Sequence, residues 1–386
     1  MIERRALLRN LALATGLALL AGCKMIPKAP PETAPPPAPI EQPGGALPAD
    51  AQRHRVALLV PMSGPAAAVG QSLANATTMA LLDTNAESLR ITTYDTATGA
   101  GSAAARAIAD GNKLILGPLL SEDVAAVVSA ARPARVPLIS YSNDSGVADR
   151  DVFVLGHVPA QAVARVVGHA RANGASRFAA LVPAGEYGQR ATAALQAAVG
   201  SAGGTMAGIE TYDRGNTSIA SAAQRLKARG GYDAVMIADA ARFAIRAAPL
   251  LKTAGSATPR ILGTELWAGE SSLLSTPALR GAWFAAVSDA RFRQFAASYR
   301  ARFGAPPHRI ATLGYDSVLL ALRVARDWRP GTPFPTARLD DRGGFLGIDG
   351  AFRFGEDNVA QRARDLRENV AGTTTNVSPA PSRCAN

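Results

Sequence analysis

Small and polar residues follow a series of apolar runs, and their types suit holding a small molecule rather than transforming one. The run Val56–Val60 ends in Pro61-Met62-Ser63-Gly64-Pro65, and Leu114–Leu116 ends in Gly117-Pro118-Leu119-Leu120-Ser121. Ser140-Tyr141-Ser142-Asn143-Asp144 closes a third run and Pro183-Ala184-Gly185-Glu186-Tyr187-Gly188 a fourth, while Asp239 and Thr264-Glu265 close two more. Hydroxyls and backbone N–H groups at the helix starts that follow can hold an anion such as a carboxylate. The candidate ligand contacts are therefore Ser63, Gly64, Ser121, Ser142, Asp144, Tyr187, Asp239 and Glu265. Each has a plainer role open to it. Ser63 and Ser121 can cap helices, Tyr187 can close a turn, and Glu265 can be a solvated loop charge. Catalytic chemistry has little to stand on. There is no G-x-S-x-G elbow, no H-E-x-x-H and no G-x-x-x-x-G-K-[ST]. The four histidines, His54, His157, His169 and His308, show no metal-ligand spacing. The expectation is a protein without catalytic residues, metal or cofactor.

These residues need a scaffold, and the hydrophobic periodicity describes one. Apolar, β-branched runs predict strands near 55–60, 89–94, 113–117, 136–140, 177–182, 205–211, 233–238, 259–263 and 282–287. Ala-rich amphipathic stretches predict helices near 69–82, 101–110, 121–132, 159–173, 186–200, 217–229, 240–253, 290–303 and 311–328. Strands without polar alternation, such as Lys113-Leu114-Ile115-Leu116-Gly117, suit parallel sheets covered on both faces. Strict alternation of strand and helix predicts an open, doubly wound α/β fold, and the length predicts two such sheets. Ligands in such sheets bind beyond the carboxyl ends of the strands, where the candidate residues stand.

The amino terminus reads as an export signal. Arg4, Arg5 and Arg9 precede the uncharged run Leu11–Ala21, too short for the roughly 20 residues of a membrane span and suited to a signal-peptide core. It ends in Leu20-Ala21-Gly22-Cys23, which resembles the lipobox of bacterial lipoproteins; the resemblance implies acylation of Cys23 and cleavage before it. Arg4-Arg5-Ala6-Leu7-Leu8-Arg9 partly resembles a twin-arginine signal. Residues 24–50 contain nine prolines and predict an extended, disordered tether. Lys24 stands where an Asp typically retains lipoproteins in the inner membrane, which favours the outer membrane, facing the periplasm. Cys23 and Cys384 are the chain's two cysteines, so lipid on the first leaves no intramolecular disulfide. The net charge is +11, spread over scattered arginines, densest at Arg291, Arg293, Arg300 and Arg302. An exported protein has no nucleic-acid partner to meet there; a solvated helix face or a contact with an acidic partner accounts for the patch.

Taken in order, "VALLVPMSGPAAAVGQSLANATTMAL", "LILGPLLSEDVAAV", "ARVPLISYSND", "GEYGQR" and "GGFLGIDGAFRF" resemble the type I periplasmic binding-protein fold. The likeness is to the branch of Leu/Ile/Val-type receptors and penicillin-binding-protein activator lipoproteins. It implies two Rossmann-like lobes with parallel sheets flanked by helices, joined by three crossovers. The implied organisation is a signal peptide at 1–22, a tether at 23–53, a binding-protein domain at 54–370 and a disordered tail at 371–386. Lobe one would hold about 54–156 and 290–330, and lobe two about 157–287. In the receptors, the loops matching Ser121 and Ser140–Asp144 grip an amino acid's carboxylate, Tyr187 matches a covering tyrosine, and Glu265 matches the partner of the ammonium. Asp144 departs from the pattern, because an ionised carboxylate there would repel an α-carboxylate. The activators are outer-membrane lipoproteins that stimulate a peptidoglycan synthase, although they carry a helical-repeat domain that this chain lacks. The leader and tether together favour such a regulator. The alternative is a solute-binding receptor feeding an ABC permease with amino acids or related small molecules.

Overall fold

The computed structural model describes residues 52–252 and 259–380. The leader, most of the tether, Cys23 and Cys384 lie outside the described residues.

The first sheet has the order β2-β1-β3-β4-β5 and is parallel throughout. Its strands are β1 (His54–Val60), β2 (Leu89–Asp95), β3 (Leu114–Leu116), β4 (Leu138–Ser140) and β5 (Val152–Val154). The alternation inside β1 explains how one strand serves two cores. Val56, Leu58 and Val60 pack on one face with Leu73, Leu313, Val318 and Leu320, from helices α1 (Ala67–Asp83) and α9 (Thr312–Ala325). Ala57 and Leu59 pack on the other with Ala103, Ala104, Ala107 and Val127, from α2 (Ala100–Ala109) and α3 (Ser121–Ala131).

The second sheet runs β15-β14-β10-β9-β8-β6-β7. Strands β6 (Arg177–Pro183), β7 (Thr205–Tyr212), β8 (Ala234–Ile237), β9 (Arg260–Gly263) and β10 (Trp283–Ala286) are parallel. Phe178, Ala180 and Val182 face helices α4 (Pro159–Ala172) and α5 (Glu186–Ser201). Ala179 and Leu181 face α6 (Ser218–Arg229) and α7 (Ala241–Leu251). Helix α8 (Asp289–Phe303) then returns to the first lobe, where Phe295 and Tyr299 pack against Ala76 and Met79 of α1. A small antiparallel sheet, β11 (Phe345–Gly347), β12 (Gly350–Phe354) and β13 (Ala360–Arg362), closes that lobe's core with Phe345, Phe352 and Phe354.

The chain then re-enters the second sheet. Strand β14 (Asp365–Val370) runs antiparallel to β10, and β15 (Thr373–Ser378) antiparallel to β14. The expected disordered tail from 371 is thereby corrected over 373–378. Gly372, with φ +76°, makes the turn that folds this segment back onto the sheet. Its threonines lack the apolar alternation that betrays a strand because β15 is an exposed edge.

The two lobes repeat one local device. In each, a strand ends in proline and the following helix passes so close that a glycine is required. A Cβ on Gly70 would stand 1.8 Å from the Pro61 carbonyl oxygen, and one on Gly188 1.7 Å from that of Pro183. Gly70→Ala must push the helix off the strand end, and the expected loss is about 1–3 kcal/mol or more. Gly168→Ala, in the exposed face of α4 where the new methyl meets nothing within 4 Å, should instead be neutral or gain up to about 1 kcal/mol. Urea midpoints of the two variants check the contrast; equal midpoints would remove the close approach as the reason for Gly70.

Candidate functional site

In both large sheets the strand order reverses beside the first strand, between β1 and β3 and between β6 and β8. The carboxyl ends there open a crevice between neighbouring loops. A cavity of about 610 Å³ lies at these ends, with walls from both lobes. Leu119, Leu120, Ile310 and Leu313 supply apolar surface from one side, Ala240, Leu266 and Ala268 from the other. The inter-lobe segments supply His157, Ala286, Val287 and Arg364. A second hollow of about 540 Å³, lined by Asp233, Lys252, Arg260 and Trp283, sits at the amino ends of β8, β9 and β10. Two of its cations are engaged: Lys252 donates to the Arg280 carbonyl, and Arg260 donates to the Gly281 carbonyl while lying over the Trp283 ring.

The structure distributes the sequence candidates unevenly. Ser121 and Glu265 line the cavity. Ser63 and Gly64 do not; the Ser63 hydroxyl donates to Asp95 Oδ2 at 2.7 Å and the Met62 N–H to Oδ1 at 2.8 Å, fastening this turn to the end of β2. Ser142 is buried, and its Oγ accepts the Asp144 N–H. Asp144 lies at the mouth, beside Ser121, Glu186 and Gln189, where its Oδ2 pairs with Arg190 Nη1 at 3.2 Å. Arg190 comes from α5 in the other lobe, and its Nη2 also donates to Asn143 Oδ1. The charge on Asp144 is thus partnered from across the cleft.

Tyr187 stands behind the wall, donating to Glu265 Oε1 at 3.0 Å, with its hydroxyl 3.1 Å from Thr264 Oγ1. Burial and the adjacent Glu265 push its phenol well above the ordinary range, so it stays a donor. Asp239 is also off the cavity. It is 1% exposed, accepts from Tyr212 at 2.5 Å and the Ala240 N–H at 2.8 Å, and takes a two-pronged contact from Arg214.

The deepest charges escaped sequence reasoning. Arg309 donates through Nη1 to Asp349 Oδ1 at 2.8 Å, while its Nε and Nη2 are buried without a partner. Arg364 is 4% exposed, touches only Gln161 Oε1 at 3.4 Å, and leaves Nε and Nη1 without partners. Burial pushes its guanidinium down to about 10. Glu265 mirrors it: Oε2 is buried and unpartnered, and burial raises the carboxyl although Arg364 opposes this. Behind them lies a dense knot. Asp349, fully buried, accepts from Thr312 Oγ1 at 2.7 Å and His157 Nε2 at 2.9 Å as well as from Arg309. Burial would raise its carboxyl, but Arg309, His157 and Arg362 outweigh that and hold it well below the usual range. His157 itself is pushed down to about 4 by burial and so donates as a neutral ring. No strand-end position or recognised motif marked His157, Arg309 or Arg364: Arg309 follows His308, and Arg364 stands among Gln361, Arg362 and Asp365. Among the described residues no group of three or more acidic, His or Cys side chains could hold a metal, and no helix is long and apolar enough to cross a membrane.

Two parallel sheets with helices on both faces, and a lined cleft at their carboxyl ends, define the type I periplasmic binding-protein architecture. The chain belongs to the periplasmic binding protein family, whose profile matches residues 54–363, and that membership implies a periplasmic location. Solved structures with the same fold include a leucine-binding protein of Thermotoga maritima, at TM-score 0.65 and 20% identity, covering 85% of this chain and 98% of its own. An ABC transporter solute-binding protein of Rhodopseudomonas palustris in complex with 3,4-dihydroxybenzoic acid gives 0.65 and 19%, covering 86% and 99%. A branched-chain amino acid transporter substrate-binding protein of Streptococcus pneumoniae in complex with isoleucine gives 0.63 and 19%, covering 85% and 100%. An uncharacterized protein of Rickettsia prowazekii is 27% identical over 173 residues, which are 44% of this chain; the match spans about half (46%) of that relative's length.

Proposed function

We propose that this protein is a solute receptor that captures a small organic molecule in its cleft and presents it to an ABC permease. The observation that carries the reading is the 610 Å³ cavity at the carboxyl ends of both sheets, walled by apolar side chains with a few buried polar groups. That volume and lining are those of a small-molecule site. Structures of the same fold are described with isoleucine and with 3,4-dihydroxybenzoic acid, ligands of a size this cavity admits. The reading of an outer-membrane regulator of a peptidoglycan synthase, drawn from the leader and tether, finds no support in these likenesses, and the receptor takes its place. Lipid on Cys23 and the Pro-rich tether would hold such a receptor at a membrane surface facing the periplasm.

Thermal melting against amino acids, aromatic acids, peptides and muropeptides tests the reading. A ligand at 100 times its Kd adds about 2.7 kcal/mol, a shift of several degrees for a domain of this size. Stabilisation by one small compound, abolished by Glu265→Ala, is the expected result. Stabilisation by none, or by muropeptides alone, would overturn it.

A further inference from the structure

Sequence likeness places a ligand's carboxylate on the loops at Ser121 and Ser140–Asp144. The second of these loops has largely spent its donors. The Tyr141 N–H goes to the Pro118 carbonyl, the Ser142 N–H to Ser140 Oγ and the Asp144 N–H to Ser142 Oγ. The mouth beside it carries Asp144, Glu122 and Glu186, with Arg190 as the cation among them. An anion entering that corner would meet three carboxylates.

The opposite end of the cavity has the reverse character. Arg364 and Arg309 bring four guanidinium nitrogens without a hydrogen-bond acceptor among the described residues, Arg309 lies over the Phe292 ring, and both side chains line the cavity. Arg309 is half-committed, since Asp349 balances its charge. Arg364 has no ion pair among the described residues: Glu265 is close enough to act on it through space but makes no salt bridge with it. A guanidinium 4% exposed and unpaired is costly by several kcal/mol, and buried guanidiniums are found satisfied by carboxylates in a two-pronged contact. Its charge needs an acceptor that the described residues do not provide.

Resting on the receptor reading above, we propose that the ligand is an organic acid whose carboxylate docks on Arg364 and Arg309 at the inter-lobe end of the cleft. The rest of the molecule then lies along Leu119, Leu266, Ile310 and Leu313, and a donor on it, a hydroxyl or an ammonium, reaches the unpartnered Glu265 Oε2. The preferred ligands carry one carboxylate, an apolar body and one donor group. The matching amide, with no charge to give Arg364, is rejected. Arg364 is a specificity-determining residue in this scheme, and the 140–144 loop serves closure instead of carboxylate recognition.

The test uses the full-length protein and calorimetric titration with benzoate, 3,4-dihydroxybenzoate and L-isoleucine, each beside its primary amide. The expected result is binding of at least one acid, no measurable binding of its amide, and an affinity about tenfold or more lower in Arg364→Gln. Arg364→Lys, which keeps charge and loses the fork, should fall between. A second readout needs no ligand. Removing an unpaired buried charge should leave the melting temperature of the ligand-free protein unchanged or raised, whereas a structural arginine would lower it. Should an amide bind as well as its acid, or Arg364→Gln and Arg309→Gln both bind the acid like wild type, the proposal fails while the receptor reading stands. If no acid or amide binds and Arg364→Gln melts lower than wild type, both fail.

Discussion

Asp349→Asn should remove about 3–5 kcal/mol of stability, a large part of what a domain of this kind possesses. The carboxylate is fully buried and is held by Arg309, His157 and Thr312. The amide keeps the shape but not the charge, so Arg309 is left inside without its counterion, and one of the two oxygens that accept from Arg309, Thr312 and His157 becomes a donor. The sign with pH follows from the direction of the shift. Asp349 ionises more readily in the folded chain than in the unfolded one. Its contribution is therefore complete above the ordinary carboxylate range near pH 4 and is lost as pH falls through its own lower value. Denaturant unfolding of wild type and variant should differ most at neutral pH and converge in strong acid. A difference below about 1 kcal/mol at pH 7 would show that the knot around Asp349 is not a structural centre.

Asp239→Ala is expected to cost about 2–4 kcal/mol and to leave ligand affinity unchanged. Sequence reasoning put Asp239 in the cleft because it follows a strand end. The structure turns its carboxylate to Tyr212, Arg214 and the Ala240 N–H instead. Burial and the neighbouring carboxylate push the Tyr212 phenol far up, so its hydroxyl must donate, and the alanine variant strands that donor in the core. Arg214 is half-exposed and can recover water, which keeps the cost below that of Asp349. Paired urea and calorimetric titrations decide the matter. Unchanged stability with lost binding would make Asp239 a ligand group and the ion pair incidental.

The contrast between these two aspartates shows what periodicity can and cannot reveal. The strands from β1 to β10 were legible, apart from β5: burial on both faces makes the central strands near-continuous apolar runs, and the half-exposed edge strands β2 and β7 are marked by their β-branched and aromatic residues. The helices between them were legible because their small and apolar residues return every three or four positions. β13, Ala360-Gln361-Arg362, carries no apolar pattern, whereas β5, Val152-Phe153-Val154, is as apolar and buried as β3 and β4 and was passed over. β14 has the sequence DLRENV; it reads as a surface loop, yet its Arg367 is buried against Asp289 and the Val287 carbonyl, and its Asn369 against the Leu273 carbonyl. Strand-end position located Ser121 and Glu265 on the cavity, but position alone does not tell which way a side chain turns, hence Asp239 and Ser63. His157, Arg309 and Arg364 were beyond local patterns altogether. They lie 152 and 55 positions apart in the chain and meet only because the crossovers between lobes bring the connections together.

Neither lobe is made from one continuous stretch of chain, and this dictates the order in which the molecule can be built. The first sheet is complete by Val154, yet the face formed by Val56, Leu58 and Val60 is covered only in part, by Leu73 and Ala80 of α1, until α9 and the phenylalanines of β11 and β12 have been made. The second sheet in turn waits for β14 to pair with β10. A chain emerging from its amino end therefore carries an incompletely covered apolar sheet until α9 is made. Contacts this distant slow folding. The same discontinuity that ties the lobes together at the cleft thus leaves neither core complete until α9 and β14 have been made.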